Sequence, residues 1–416
     1  MNGDLRTFGL LALAAMAACS GGQSTSVSFD GAVSVGVLHS RSGSMAISEN
    51  TVAEAELMAI AEINRAGGIN VNGRRLELRP VEEDGASDPE TFAVRARQLI
   101  EDERVAVVFG GWTSASRKAM LPVFEDADHL LFYPVPYEGQ ECSRNVYYFG
   151  ATPNQQVEPG IRWLFENGAA EFFLVGSDYV YPRTVNRIIA AQVESLGGGV
   201  SGERYIPLDG ADVAPVIDAI RAALPDGGAI VNTINGESNV DFFTHAFAEG
   251  LTPENGYRIM SFAIAEEEVS AIGARNLEGT YAVWSYFQSL DTPASREFTA
   301  AFRDNYGPHR VVSDPAETAY TMVHLWAKGA EAAGSTDPKL VREALTGIGF
   351  DAPHGRVEVR PNHHLAKRAA IGEVQADGMF EIVHDAGVID PRPLSDVFAG
   401  SSGIACDWAT GQNDVE

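Results

Sequence analysis

Short apolar runs alternate with amphipathic segments along most of the chain, and this alternation constrains the fold more than any motif. Runs at 33–38, 76–81, 105–109 and 130–133 read as strands, because short stretches rich in Val, Leu and Phe suit the strands of a covered sheet. Between them, helical spacing covers 51–65, 89–100 and 114–125. A second series places strands at 172–176, 205–207, 230–233 and 259–262, with helices at 158–166, 182–196, 214–223 and 240–248. Each series is a βαβ alternation, which calls for a parallel sheet covered by helices on both faces. The expected fold class is α/β, two doubly wound Rossmann-like lobes with a ligand cleft between them. Further helices are expected at 295–306, 315–333 and 338–345, and β structure in the punctuated stretch 355–383.

A chain of 416 residues is long enough for two such cores. Its 57 acidic and 30 basic residues give a formal charge of −27, which argues against nucleic acid as a partner, since a polyanion needs clustered Lys and Arg. The start, "MNGDLRTFGLLALAAMAACSGGQS", has an apolar run from 8 to 18, too short to span a membrane and suited to a signal peptide. Cys19 in "MAAC" resembles the acylated cysteine of a bacterial lipoprotein, so 1–19 is expected to be a lipoprotein-type signal and 20–32 a flexible tether. Cys142 and Cys406 remain, and the sequence leaves open whether they pair.

Parallel sheets place ligands beyond the carboxyl ends of their strands, which selects the loops at 40–44, 110–114, 133–137, 177–181, 232–239 and 263–268. In "FGGWTSASRKAML", Ser114 stands where a helix starts, but G-x-S-x-G is absent, so an activated serine is disfavoured. A helix beginning there offers unpaired N–H groups and a hydroxyl that together can hold the oxygen of a neutral amide. Thr113 or Ser114 can also simply cap the helix. "FYPVPYEG" brings Tyr133, Val135 and Pro136 to the next strand end, its prolines stiffening the loop. In "GSDYVYPRT", Asp178 can accept a ligand N–H or cap a turn, and Tyr181 precedes a helix. Asn235 in "NTINGESN" and Glu266 in "AIAEEEV" are candidate acceptors, although glutamates in a row also mark a helix start. "EEDGASDPE" reads as a solvated loop and "NHHL" as structural, so neither a metal nor a cofactor is expected.

These stretches, with "GATPNQQVEPG", "YFQSLDTPASREF" and "NHHLAKRAAIG", resemble type I periplasmic binding proteins of the urea- and amide-binding branch, in order from about 33 to 393. The resemblance implies a first lobe of 33–150 plus 287–349, a second of 151–286 plus 350–398 and a tail of 399–416. Crossovers would fall near Gly150, Tyr286 and Phe350. It makes Trp112 an aromatic wall, Ser114 the hydroxyl anchor, Tyr133 and the Val135 backbone pocket lining, and Tyr181 a group closing over the ligand. The function implied is a high-affinity periplasmic receptor, anchored by lipid at Cys19, that binds urea by lobe closure and serves an inner-membrane ABC permease with its ATPases. Alternatives are a receptor for other short-chain amides or for branched-chain amino acids, a cytoplasmic amide-sensing regulator and an amide-hydrolysing enzyme.

Overall fold

The computed structural model describes residues 28–208, 212–398 and 406–408; the expected signal peptide with Cys19, part of the tether and most of the tail lie outside them. The first sheet contains β1 (Gly31–His39), β2 (Ile69–Val71), β3 (Arg74–Asp84), β4 (Val108–Gly110), β5 (Leu131–Tyr133) and β6 (Val146–Tyr148), in the order β2-β3-β1-β4-β5-β6. All pairings are parallel except β2 with β3. Helices α1 (Ala46–Arg65), α2 (Pro89–Glu101) and α3 (Ser114–Asp126) connect these strands. The apolar runs of β4, β5 and β6 are wholly buried, as strands covered on both faces must be.

The second sheet begins after α4 (Val157–Glu166) and holds β7 (Glu171–Ser177), β8 (Gly199–Ile206), β9 (Gly228–Thr233), β10 (Tyr257–Ser261) and β11 (Tyr281–Trp284). They are interleaved with α5 (Val180–Leu196), α6 (Ala214–Ala223), α7 (Ser238–Ala248) and α8 (Glu266–Ile272). The chain then forms α9 (Pro293–Tyr306), α10 (Asp314–Ala333) and α11 (Pro338–Leu345), followed by a separate hairpin of β12 (Gly349–Ala352) and β13 (Gly355–Glu358). It ends with β14 (Lys367–Val374) and β15 (Phe380–Ile389), which add antiparallel to β11 and give the order β15-β14-β11-β10-β9-β7-β8.

Strand order locates the cleft. In the first sheet β1 lies between β3 and β4, and in the second β7 lies between β8 and β9, so the winding direction reverses at β1 and β7. Ligands of open parallel sheets sit at such reversals, beyond the strand ends. Those ends are Ser40 and Gly111 in one lobe and Asp178 and Ile234 in the other.

The connections between lobes meet at one buried ion pair. Asp314 Oδ1 accepts the N–H groups of Ser285 and Tyr286, both at 3.0 Å. Lys367 Nζ lies 3.6 Å from Asp314 Oδ2 and donates to the Phe149 carbonyl at 3.2 Å and the Thr318 hydroxyl at 2.7 Å. Phe149, Ser285 and Lys367 stand on three different passages of the chain, so this pair ties all of them. At Gly150, beside the first passage, an added Cβ would lie 1.8 Å from the Val135 carbonyl carbon, which is why the residue is glycine.

The third crossover, expected near Phe350, runs instead between Leu365 and Lys367. Ala352, Val357, Val359 and Leu365 are buried with the first sheet's core, because the β12–β13 hairpin has an apolar face that finds its cover there. Cys142 and Cys406 form a disulfide, Cα–Cα 5.8 Å, which ties the tail to the loop after β5. Among the described residues no helix is long and apolar enough to cross a membrane.

Candidate ligand-binding site

Strand β4 ends at Gly110, whose φ of 143° and close approach to β1 exclude a side chain, since a Cβ there would lie 1.9 Å from the Leu38 carbonyl oxygen. The tight passage projects Trp112 and starts α3. Thr113 is the cap of that helix: its hydroxyl accepts the Ser116 N–H at 3.0 Å. Ser114, first in the helix, is therefore not needed as the cap. Tyr133, at the end of β5, donates its phenol proton to the Trp112 carbonyl and holds the turn from behind.

Behind Ser114 lies a buried charged wall. Arg117, one helical turn on, is 0% exposed. Its Nε donates to Glu141 Oε1 at 2.9 Å and its Nη2 to Glu141 Oε2 and Glu138 Oε1, each at 3.3 Å. Nη1 donates to the Ser114 hydroxyl oxygen at 3.0 Å, and the guanidinium lies over the faces of Tyr133 and Tyr137 at 4.9 and 4.8 Å. Ser114 in turn donates to Glu138 Oε2 at 2.5 Å. Lys118 and Tyr148 complete the shell of Glu141 at 2.7 and 2.8 Å. Burial would raise the Glu141 carboxyl, but the Arg117 charge and hydrogen bonds, with Lys118, outweigh it and hold the group at about 2.

The wall continues into the "NHHL" segment through stacked rings. Tyr137 donates to His364 Nε2 at 2.7 Å, while Tyr148 stacks on His364 and Tyr147 on His363. Among the described residues no cluster of His, Cys, Asp and Glu is arranged to hold a metal ion.

The second lobe brings a tyrosine and an asparagine to the facing side. Tyr181 is buried within the first turn of α5, and its hydroxyl has no hydrogen-bond partner among the described residues. Its helix packs against α3, which carries Ser114, and burial, then the Glu138 carboxylate and Tyr133, push its phenol far above the ordinary value. The Asn235 backbone N–H donates to Ser177 Oγ at 3.0 Å; its side-chain oxygen accepts the Trp112 indole N–H at 3.3 Å, a bridge between the lobes. A second bridge runs from Ser48 Oγ to Glu268 Oε1 at 2.5 Å, and a third from the Glu237 N–H to the Ser44 carbonyl at 3.2 Å.

The structure thus brings together Trp112, Thr113, Ser114, Tyr133, Tyr181 and Asn235, with Val135 buried and Pro136 half-buried on the loop after β5. Two expected acceptors stand elsewhere. Asp178 is exposed and ion-paired with Arg183 at 2.6 Å, because the β7–α5 turn points its side chain outward. Glu266 is buried, but its Oε1 accepts the Gln288 N–H at 2.7 Å on the second passage between lobes. Sequence reasoning missed Arg117 and Glu138. Arg117 was legible as the i+3 neighbour of Ser114 on a helix; Glu138 stood in the quoted "PYEG" with nothing to say which way it points.

The chain matches a family model described as "Periplasmic binding protein domain" over residues 33–399. A protein from Pseudomonas aeruginosa named "Leucine-, isoleucine-, valine-, threonine-, and alanine-binding protein" is 26% identical over 320 residues, 72% of this chain and 78% of that one. A protein from Geobacillus stearothermophilus named "Limonene hydroxylase" is 33% identical over 112 residues, but these are 27% of this chain and span only 21% of that protein. Among solved structures, an ABC transporter solute-binding protein from R. palustris in complex with 4-hydroxybenzoate superposes with a TM-score of 0.76 at 22% identity, covering 88% of this chain and 98% of that one. At that identity the likeness is one of fold.

Proposed function

The chain belongs to the periplasmic binding protein domain family, and from that premise we propose that it is an extracytoplasmic receptor that closes over urea or a short-chain amide and hands it to an ABC transporter. The observation that carries the choice of ligand is the saturated charge of the Ser114 wall. The guanidinium nearest Ser114 is engaged by Glu138 and Glu141 of the same chain. A ligand carboxylate, such as the relative's amino acids or the neighbour's 4-hydroxybenzoate carry, would have to sit beside Glu138 at 2.5 Å from the Ser114 hydroxyl, a like-charge contact that disfavours it. A neutral ligand with N–H donors and one carbonyl oxygen meets groups of matching kind: the Ser114 and Glu138 oxygens, the Trp112 aromatic wall and the unpartnered Tyr181 hydroxyl.

The bridges between lobes support delivery by hinge closure, in which a ligand stabilises the closed arrangement. The Cys142–Cys406 disulfide fits an oxidising compartment, in keeping with export and a lipid anchor at Cys19. The partners of the Ser114 hydroxyl are a carboxylate and a guanidinium, which favours a receptor over a hydrolase, whose serine would need a base free to take up its proton.

Isothermal titration calorimetry with urea, acetamide, leucine and 4-hydroxybenzoate, with ammonia release followed in the same samples, tests this reading. Binding of urea or acetamide without turnover is the expected result. Preference for leucine or the benzoate, or release of ammonia, overturns it.

A further inference from the structure

Resting on the urea and amide reading, the inference concerns which atoms of the ligand the two walls of the cleft recognise. A serine hydroxyl has one proton. In Ser114 that proton is directed to Glu138 Oε2 at 2.5 Å, while Arg117 Nη1 donates to the same hydroxyl oxygen at 3.0 Å. Arginine only donates and an ion-paired carboxylate only accepts, so the direction of both bonds is settled. Ser114 therefore has no proton left for a ligand and keeps one lone pair; toward the cleft it accepts. This reverses the expectation that its hydroxyl clamps the ligand oxygen. Glu138 Oε2 takes the Ser114 proton as its one hydrogen bond among the described residues, and a carboxylate oxygen accommodates a second. The wall of the first lobe is an acceptor surface made rigid by Arg117.

The opposite wall has the complementary group. Tyr181 is 5% exposed, its hydroxyl lacks a partner among the described residues, its helix packs against α3, and its phenol feels Glu138 and Tyr133. A buried hydroxyl without a partner costs stability until something satisfies it.

We propose that Ser114 and Glu138 form an acceptor pair reading the ligand's N–H groups, and that Tyr181 donates to its carbonyl oxygen, so that selectivity among small neutral molecules is set by the number of N–H donors. Glu138 is then the specificity-determining residue.

Urea, acetamide and acetone share a planar three-branched shape and carry two, one and no amino groups, which makes them the probes. Calorimetry on the wild-type protein is expected to show affinity falling about tenfold or more at each step from urea to acetone, the loss that follows when buried acceptors go unpaired. Glu138→Gln should weaken urea about tenfold, acetamide less and acetone hardly at all. Tyr181→Phe should weaken all three by a similar factor, since each has the carbonyl. Equal affinity of the wild type for the three ligands overturns the proposal, as does a Glu138→Gln protein that melts like wild type and binds urea unchanged. The ligand series carries the test by itself if the Glu138 variant fails to fold. Absence of wild-type binding to all three overturns the urea and amide reading and this inference with it.

Discussion

The Ser114 wall and the start of α8 both bury carboxylates, and they do so in opposite ways. In the wall, Glu138 and Glu141 share one fully buried guanidinium, and Glu141 is held at about 2 because the Arg117 charge and hydrogen bonds outweigh burial. At α8, Glu266, Glu267 and Glu268 follow one another with no cation in contact among the described residues. Burial, little offset by the Gln288 N–H bond and reinforced by Asp314 and Glu268, pushes Glu266 up to about 8. The first arrangement is a fixed array of charges suited to positioning a hydroxyl. The second is a set of carboxyls whose burial favours the protonated form, placed where α8 meets α1 of the other lobe. Burying a carboxylate has two solutions, a partner or a proton, and this chain uses the first in the Ser114 wall and favours the second at the start of α8.

The largest expected loss of stability comes from removing the partner. Arg117→Met leaves Glu138 and Glu141 with only the half-exposed Lys118 as a cation and should cost about 3 kcal/mol in guanidinium chloride unfolding, the low end of the range for breaking a buried pair from one side. Adding Glu138→Gln and Glu141→Gln should recover much of it, and a cost below about 1 kcal/mol for the single variant would show that the wall is not the platform described. Next comes Lys367→Met, at about 2 kcal/mol. It strands only Asp314, whose Oδ1 still accepts two backbone N–H groups. Its distinctive readout is heterogeneity of lobe closure in small-angle scattering, because it loosens the passages where Arg117→Met does not.

The two regions should also respond to pH with opposite sign. Glu141 lies below its ordinary value of 4.5, so the stability it contributes is present above that pH and is lost as pH falls toward 2. Glu266 lies above 4.5, so its contribution is present below that value and is lost as pH rises through 8. Glu266→Gln keeps an oxygen for the Gln288 N–H and cannot ionise. It should therefore flatten the decline of stability between pH 5 and 8, a difference of about 4 kcal/mol at pH 8. An unchanged slope would place the titrating group elsewhere.

The alternation of runs was enough to locate most strands and helices, since burial of a parallel sheet writes itself into the chain as short apolar stretches. β8 was read at 205–207 but spans Gly199–Ile206, because an exposed strand carries polar residues that look like loop. The Phe350 crossover failed for a tertiary reason: a short hairpin packs on whichever core offers an apolar surface. In the cleft, loop position singled out Trp112, Ser114, Tyr133 and Tyr181, which the fold brings to facing strand ends. It misjudged Asp178 and Glu266, because the direction of one side chain depends on the turn that holds it and periodicity says nothing of that. The same blindness hid Glu138, whose role follows only from seeing where the Ser114 proton goes.

The smallest expected effect tests whether the carboxyls at α8 serve closure. Ser48 on α1 donates to Glu268 Oε1, and Glu268 Oε2 accepts the Ala265 N–H at 2.9 Å, so one carboxyl both caps α8 and joins the lobes. Burial raises that carboxyl, while the Ser48 and Ala265 bonds pull it back. Ser48→Ala removes the bridge without touching either core, so each lobe should melt as before, within about 0.5 kcal/mol. The closed arrangement should lose about 1 kcal/mol, the net worth of one hydrogen bond. Because binding requires closure, that loss would appear as roughly fivefold weaker ligand affinity through a faster off-rate, with the order of urea, acetamide and acetone unchanged. A shift in that order instead would mean that Ser48 shapes the pocket, and the division between a charge-paired wall at Ser114 and the carboxyls at the start of α8 would have to be redrawn.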